Sequence, residues 1–461
     1  MAAKHKSGDV KPDLYLKNRI ENISEADFWS AIRPADDLRK AIDAARCGHK
    51  AEAYRLLGAN HARSLATEAE AFANGVRKRT TDPDATRKLQ QNADRVRRHD
   101  ITGWHTHRIK FGPRIDFNAD FGRSGQYGFH YMGWLNPVRD MWVLSGRREY
   151  RDCFVDIITQ YYDQRNRLKW RIPHLHPVYY ELGSYAKAGV ILPAYSILAG
   201  DPSVGADARE AMLKLLLGFA RSLYRINSGG YRAGNWQIVG CATLYWIGAA
   251  FPEFREAAAW RLRAKSLIET HAEKDFFADG GHGERCWGYG LMSLSGMLKY
   301  FDAAVTHGYL TAGRRTRWEA FFKRCYRWYA ASTTPSRHQL NYGDGDIGDA
   351  APIFRQALDR FPDLAAGPGL LGVDRTRSII LRPSGYAFMR AGDEVHWVVE
   401  VDVVVAVATH ETADVVHAAH GDAALECPGM LQRRVDGVIG AEAAAGGRDG
   451  DVVRPAVPVD E

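Results

Sequence analysis

The stretch SIILRPSGYAFMRAGDEVHWVVEVDVVVAV, residues 378–407, decides how the chain is organised. It holds short β-branched and aromatic runs split by Pro-Ser-Gly and Gly-Asp, which reads as strand–turn–strand. Almost everything before it reads as helix. SEADFWSAIRPADDLRKAIDAARCG (24–48) has a Ser cap, apolar periodicity and a Gly stop, and HKAEAYRLLGANHARSLATEAEAFANGV (49–76) follows in the same style. Apolar residues recur at three- and four-residue spacing in 141–165, 184–200, 207–226, 237–251, 252–274, 290–308 and 314–333, with Gly or Pro breaks between segments. No fixed repeat of the solenoid kind is visible. The expected fold is therefore mainly α: a closed (α/α) toroid of helical hairpins, followed by an antiparallel β-sandwich domain. The expected boundaries are 1–100 for the first helical segment, 101–370 for the toroid and 376–461 for the β-domain.

No aromatic residue occurs after Trp397, and the last thirty residues are Ala/Gly/Val/Asp-rich without strand patterning. The β-domain is accordingly expected to be truncated, with a poorly ordered tail.

The net charge of +7 and a pI of about 9.0 suit an anionic partner. No Lys/Arg-dense arm with interleaved aromatics is present, which argues against nucleic acid. No run of 18 apolar residues exists, which argues against a membrane partner. The first residues, MAAKHKSGDVKPDLYLKN, lack an apolar core, so the expected location is the cytoplasm, or the periplasm if a leader precedes this sequence. The six cysteines show no CxxC spacing and are expected to be buried free thiols in a reducing compartment. Aromatics make up 11% of the chain, and such rings line carbohydrate clefts as well as cores.

The segments between helices carry the chemistry. Residues 111–137, 168–183 (LKWRIPHLHPVYYELG), 227–237 (NSGGYRAGNWQ) and 279–290 (DGGHGERCWGYG) are rich in Gly, aromatics and polar groups. DGGHGERCWGYG is no phosphate cradle, since GxxxxGK[ST] is absent. Its oxygen ligands are too few for a calcium loop. Asn235, directly before an apolar helix, suits an N-cap as well as a ligand role. HETADVVH (410–417) does not match the zinc-protease HExxH.

Taken together, the multi-helix region, the NWQ helix start, the DGGHxER…Tyr loop, the SGYAFMR strand and the His-x-x-Ala-Asp segment resemble the heparinase II/III-like superfamily of polysaccharide lyases, which includes alginate and oligoalginate lyases. DGGHGER…Tyr is similar to the family's Asp-Gly-Gly-His-x-Glu-Arg-Ser-Pro-x-Tyr, with Cys286 and Trp287 where Ser and Pro are usual. The resemblance implies β-elimination next to a uronic acid. One group neutralises the uronate carboxylate and so acidifies C5–H, a base takes that proton, and an acid protonates the departing O4.

By the same resemblance Asn235 neutralises the carboxylate, assisted by a protonated Glu284 or by Gln237. Tyr289 is the acid, and also the base when proton and leaving group share a face of the sugar. As base its pKa must drop from about 10, through positive charge on Arg285 or His282. His410 is a second base. Trp134 and Tyr180 are expected to stack on sugar rings, Arg232 to pair with a second uronate, and His176 and Glu181 to face the cleft. The expected partner is an acidic poly- or oligosaccharide. The family often places a zinc-binding histidine where Thr412 stands, and a further ligand would fall near Cys427, so no metal or other cofactor is expected. Two alternatives stay open. One is a glycoside hydrolase using Asp279 with Glu181 or Asp344; the other is a non-catalytic glycan-binding remnant.

Overall fold

A computed structural model describes residues 23–417 apart from 105–106, 169–177, 335–336, 340–347, 367–368, 375–376, 392–394, 401–403 and 410–412; side chains are described as far as Arg390, except at 123–124. The chain divides into compact units Met1–Val416 and His417–Glu461. Among the described residues are fifteen α-helices and two antiparallel sheets.

The first helix, Glu25–Ala31, begins at the expected Ser24, whose hydroxyl accepts from Asp27 N at 3.0 Å while the Asp27 carboxylate accepts in return. Three stretches with continuous helical periodicity are each two helices. Pro34 separates Glu25–Ala31 from Arg39–Arg46, because proline offers no N–H and restricts the residue before it. Gly146, at φ 66, separates Asn136–Ser145 from Arg148–Gln164 as a left-handed C-cap. Residues 49–76 break at Leu65 into Lys50–Ser64 and Ala66–Arg79. The helix Pro83–Arg97 went unread in the sequence although it carries a clear start, with Asp82 accepting from Asp84 N and Pro83 in the first turn. The segment 111–137, expected to be a loop, contains the helix Gly122–Tyr131.

Inner and outer walls differ in patterning. Asn235–Ala250 is apolar nearly all round, and only Trp236 and Trp246 escape burial. Such a helix must be covered on every side. It packs on Glu181–Leu198 and Trp287–Thr306, which are comparably buried. Ala257–Lys274 buries Ala257, Trp260, Ala264, Leu267, Ile268 and His271, one face at helical spacing, and leaves the other to solvent. This alternation of covered inner and amphipathic outer helices is that of an (α/α) toroid.

After the helices, β1 (Ile379–Leu381), β2 (Tyr386–Ala391), β3 (Val395–Glu400), β4 (Val404–Thr409) and β5 (Ala413–His417) form an antiparallel meander in chain order. Leu381 pairs with Tyr386 across Arg-Pro-Ser-Gly, with Gly385 at φ 74 closing the turn. The first hairpin docks on the helix Ala312–Ala331. Trp328 meets Tyr386 edge-on at 5.7 Å, and the Arg390 guanidinium donates to the carbonyls of Ala331 and Thr333. No described helix is long and apolar enough to cross a membrane. The five described cysteines are free. Cys241, Cys286 and Cys325 are buried as expected, but Cys47 is exposed, lying at a helix C-cap rather than on a core face.

Candidate active site

The loop 275–286 is folded by its own backbone. Phe277 N donates to Gly281 O at 2.8 Å, and Gly283 N to Asp275 O at 2.7 Å. Gly280, at φ 99, lies so close to Arg324 that a Cβ would stand 2.7 Å from its carbonyl, so only glycine fits. Asp279 is engaged through both carboxylate oxygens. One carboxylate oxygen accepts from Gly281 N at 3.1 Å, and the other accepts from Ser384 N at 3.0 Å and Ser384 Oγ at 2.7 Å. Trp328 Nε1 completes the clamp by donating to Ser384 Oγ at 3.0 Å. The Asp-Gly-Gly half of the motif thus fastens the loop to the β1–β2 turn.

The His-Gly-Glu-Arg half displays functional groups. Glu284 accepts from Asn235 N and from Asn235 Nδ2, both at 2.8 Å. The backbone N–H can only donate and the side-chain amide meets the other oxygen through Nδ2, so this two-point contact fixes which way the amide faces. Asn235 is the first residue of its helix, Gly234 being the cap, so its side chain is not spent on capping. Asn235 is 5% exposed and its Oδ1 is buried without a hydrogen-bond partner. His282 is buried against the edge of Phe276, and burial pushes its pKa down to about 4. Its Nδ1 accepts from Glu284 N at 3.2 Å, so the ring proton sits on Nε2, which is buried with no partner. This corrects the expectation that His282 supplies positive charge. At neutral pH it is an uncharged donor.

Tyr289 is 41% exposed in the first turn of Trp287–Thr306, and Arg285, at φ 51, makes the sharp left-handed turn into that helix. Trp287 occupies the first helical position, where proline would be pre-organised. Packing substitutes for ring rigidity: the indole N–H donates to Ser332 Oγ at 2.9 Å and the ring meets Tyr329 edge-on at 4.9 Å. Gly290 passes so close to Tyr329 and His282 that a side chain there would collide with both.

Several other expected site residues serve the scaffold. Gln237 is 2% exposed and fully engaged: its Oε1 accepts from Arg232 N and faces His271 Nε2, and its Nε2 donates to Asn227 Oδ1 and Gly230 O. It has nothing left for a substrate carboxylate. Arg232 donates to Glu181 Oε1 at 2.5 Å, so it is not a free clamp for a uronate. Glu181 opens the helix Glu181–Leu198 in full burial, which raises its pKa while Arg232 opposes the rise. Tyr180 is 1% exposed, wedged among Tyr127, Tyr131 and Trp236 and too covered to stack on a sugar. Trp134 spends its indole N–H on Phe129 O at 2.8 Å and stacks on Phe129, leaving it half-buried beside a cavity. The hydrolase pair is likewise not assembled, because Asp279 is held by Ser384 and Glu181 by Arg232. His410, His176, Asp344, Thr412 and Cys427 lie outside the described residues. Among the described residues no group of three or more His, Cys, Asp or Glu could hold a metal ion.

The sequence reading missed Trp236. Its indole is 41% exposed beside Asn235, and the signal was available: a tryptophan at the second position of a helix otherwise apolar on every face.

The profile of the family described as Heparinase II/III N-terminus matches residues 90–366. Among solved structures, heparan sulfate lyase HepC from Pedobacter heparinus is similar at a TM-score of 0.58 and 16% identity, over 90% of this chain and 68% of that one. A heparinase III is similar at a TM-score of 0.60 and 16% identity, over 81% of this chain and 61% of that one. The heparinase III that is the BT4657 gene product gives a TM-score of 0.55 and 16% identity, over 89% and 68%. At that identity the likeness is one of fold. No curated protein sequence is similar enough to match.

Proposed function

We propose that this chain, which belongs to the heparinase II/III family, is a polysaccharide lyase that cleaves an acidic glycan beside a uronic acid by β-elimination. The observation that carries the reading is the Asn235–Glu284 contact. It leaves the second amide N–H of Asn235 unspent, and the same Glu284 donates its backbone N–H to a neutral His282 whose Nε2–H has no partner among the described residues. Two uncharged N–H donors, the second Nδ2–H of Asn235 and Nε2–H of His282, are suited to hydrogen-bonding a carboxylate whose charge shifts during reaction. A hydrolase would require two unengaged carboxylates flanking the bond.

In this mechanism Asn235 and His282 take the uronate carboxylate and lower the cost of the enolate-like charge that develops as C5–H is lost. The C5 proton goes to the base, the C4–O4 bond breaks, a C4–C5 double bond forms, and O4 takes a proton from the acid. Tyr289, exposed at the helix N-terminus, is the acid. It acts also as base on substrates whose C5–H and O4 share a face, and Arg285 and the N-terminal end of the helix dipole favour its phenolate. His410 is the second base on substrates of the other geometry.

The test is to incubate the protein with uronate polymers and oligomers and to follow the ultraviolet absorbance of the new double bond. Tyr289→Phe should lower the rate by about 10² to 10⁴-fold, and Asn235→Ala by about 10² to 10³-fold. New reducing ends without that absorbance would overturn the reading.

A further inference from the structure

The cavity beside Trp134, of about 520 Å³, is lined by Arg95, Thr102, Trp104, Asn136, Tyr185 and Lys299 among others, and Tyr289 is not among its lining residues. That volume is in the range of small-molecule sites. We propose that it binds one carboxylate- or sulfate-bearing sugar unit of the glycan, remote from the unit that is cleaved; this rests on the acidic-glycan reading above.

The charge pattern carries the argument. Two cations line the cavity, and no Asp or Glu does so among the described residues. The Lys299 ammonium stands 4.1 Å from the centroid of the Tyr185 ring and 4.9 Å from that of Trp246, with no carboxylate within ion-pair distance among the described residues. Burial without a counter-ion pushes its pKa down to about 7. Arg95 lies near enough to Asp100 to lower its pKa, but that carboxylate is held through both oxygens by Arg108. Arg95 Nε, Thr102 Oγ1 and Asn136 Oδ1 are all buried without hydrogen-bond partners among the described residues. A buried donor or acceptor left unpaired works against folding unless a guest or water satisfies it. Two basic side chains with no facing carboxylate, among residues that keep polar atoms unspent just beneath the wall, make a cavity suited to a polar, anionic guest.

Position separates this cavity from the reacting centre. Lys299 follows Tyr289 by ten residues on the same helix, about 15 Å along its axis. A row of aromatic rings joins the two places. Trp104 meets Tyr131 at 5.1 Å, Tyr131 meets Tyr180 at 6.0 Å, and Tyr180 meets Trp236 at 6.3 Å, beside Asn235. The two exposed ends, Trp104 and Trp236, offer ring faces on which intervening sugars can rest.

The test uses the full chain carrying Tyr289→Phe, so that ligand is not consumed. Calorimetric titration compares a glucuronate–N-acetylglucosamine tetrasaccharide, a mannuronate tetrasaccharide, a neutral cellotetraose and inorganic sulfate. At least one acidic tetrasaccharide should bind more tightly than the neutral one. Lys299→Met and Arg95→Met should each weaken it tenfold or more, and Thr102→Val, which removes only a hydroxyl, about threefold. Acidic and neutral ligands binding alike, or all three variants staying within twofold of the parent, would overturn the proposal. Sulfate competing as well as the tetrasaccharide would overturn its sugar part. If Lys299-dependent binding holds while the wild-type chain yields no double-bond absorbance, the lyase reading falls and the cavity stands. If absorbance rises and the Lys299 variant binds like the parent, the converse follows.

Discussion

Because His282 is buried and neutral, folding stability falls as the pH drops below its free value. Its pKa is about 4 in the folded protein and about 6.5 in an unfolded chain. The unfolded state therefore binds the extra proton first as pH falls, and stability must decline between these two values. From pH 7 to pH 5 this single group removes about 1.8 kcal/mol, the difference in proton-binding free energy between an imidazole of pKa 6.5 and one of pKa 4. Other groups titrate in the same window, so the measurement is a difference. Guanidinium unfolding of wild type and His282→Gln at pH 7 and pH 5 isolates the term, since glutamine can accept from Glu284 N without titrating. His130, also buried and held near pKa 3, contributes equally in both proteins and cancels. Wild type should lose about 1.8 kcal/mol more than the variant. Equal losses would refute the assignment of a neutral, Nε2-protonated His282 and return it to the role of a positive neighbour of Tyr289.

Three further outcomes are expected. Gly280→Ala forces a left-handed backbone on alanine and drives Cβ into Arg324, which should cost about 2 to 4 kcal/mol in denaturant unfolding. Ser384→Ala removes the hydroxyl that links the Asp279 carboxylate to Trp328; a loss of about 1.5 to 3 kcal/mol is expected by the same assay, with Ser384→Thr recovering part of it. Lys187 is buried with a single 3.3 Å bond to His130 O, and burial lowers its pKa to about 7. Lys187→Met should therefore stabilise the protein at pH 6 by about 1 to 3 kcal/mol. That advantage should shrink as pH rises through 7 toward 10, because the unfolded wild type keeps a proton that the folded form has already shed.

The helical architecture was legible because inner helices such as Asn235–Ala250 are apolar on every face and outer ones such as Ala257–Lys274 on one. Those two patterns have different periodic signatures, and the switch to period two after Ser378 marks the sheet. What was not legible is how polar side chains divide among themselves. Arg232 and Glu181 stand 51 positions apart and form an ion pair that only the toroid brings together. Gln237 looks like a second amide for the substrate because it follows Asn235 by two residues. Two residues on a helix point about 200° apart, however, so an Asn235 side chain turned to Glu284 commits Gln237 to the interior. Helix breaks at Leu65 and Gly146 escaped for a related reason. Periodicity survives a one-residue kink, and only cap geometry reveals it.

The same reasoning explains why the motif tolerates Cys286 and Trp287. In DGGHGERCWGYG the His-Gly-Glu part leaves polar atoms unspent by the scaffold: His282 Nε2 directly, and the Asn235 amide that Glu284 holds. Asp279, Gly280 and Gly281 fix where the loop sits, against Ser384, Arg324 and Trp328. The Cys-Trp pair does neither of these things and only starts a helix. A helix start can be fixed by a rigid ring in the backbone or by a buried indole hydrogen-bonded to Ser332, and either leaves Tyr289 two residues further on in the same turn. Replacement at these two positions therefore changes how the helix is anchored while Tyr289 keeps its place in the first turn, whereas a change at Glu284 would release the amide of Asn235 to turn.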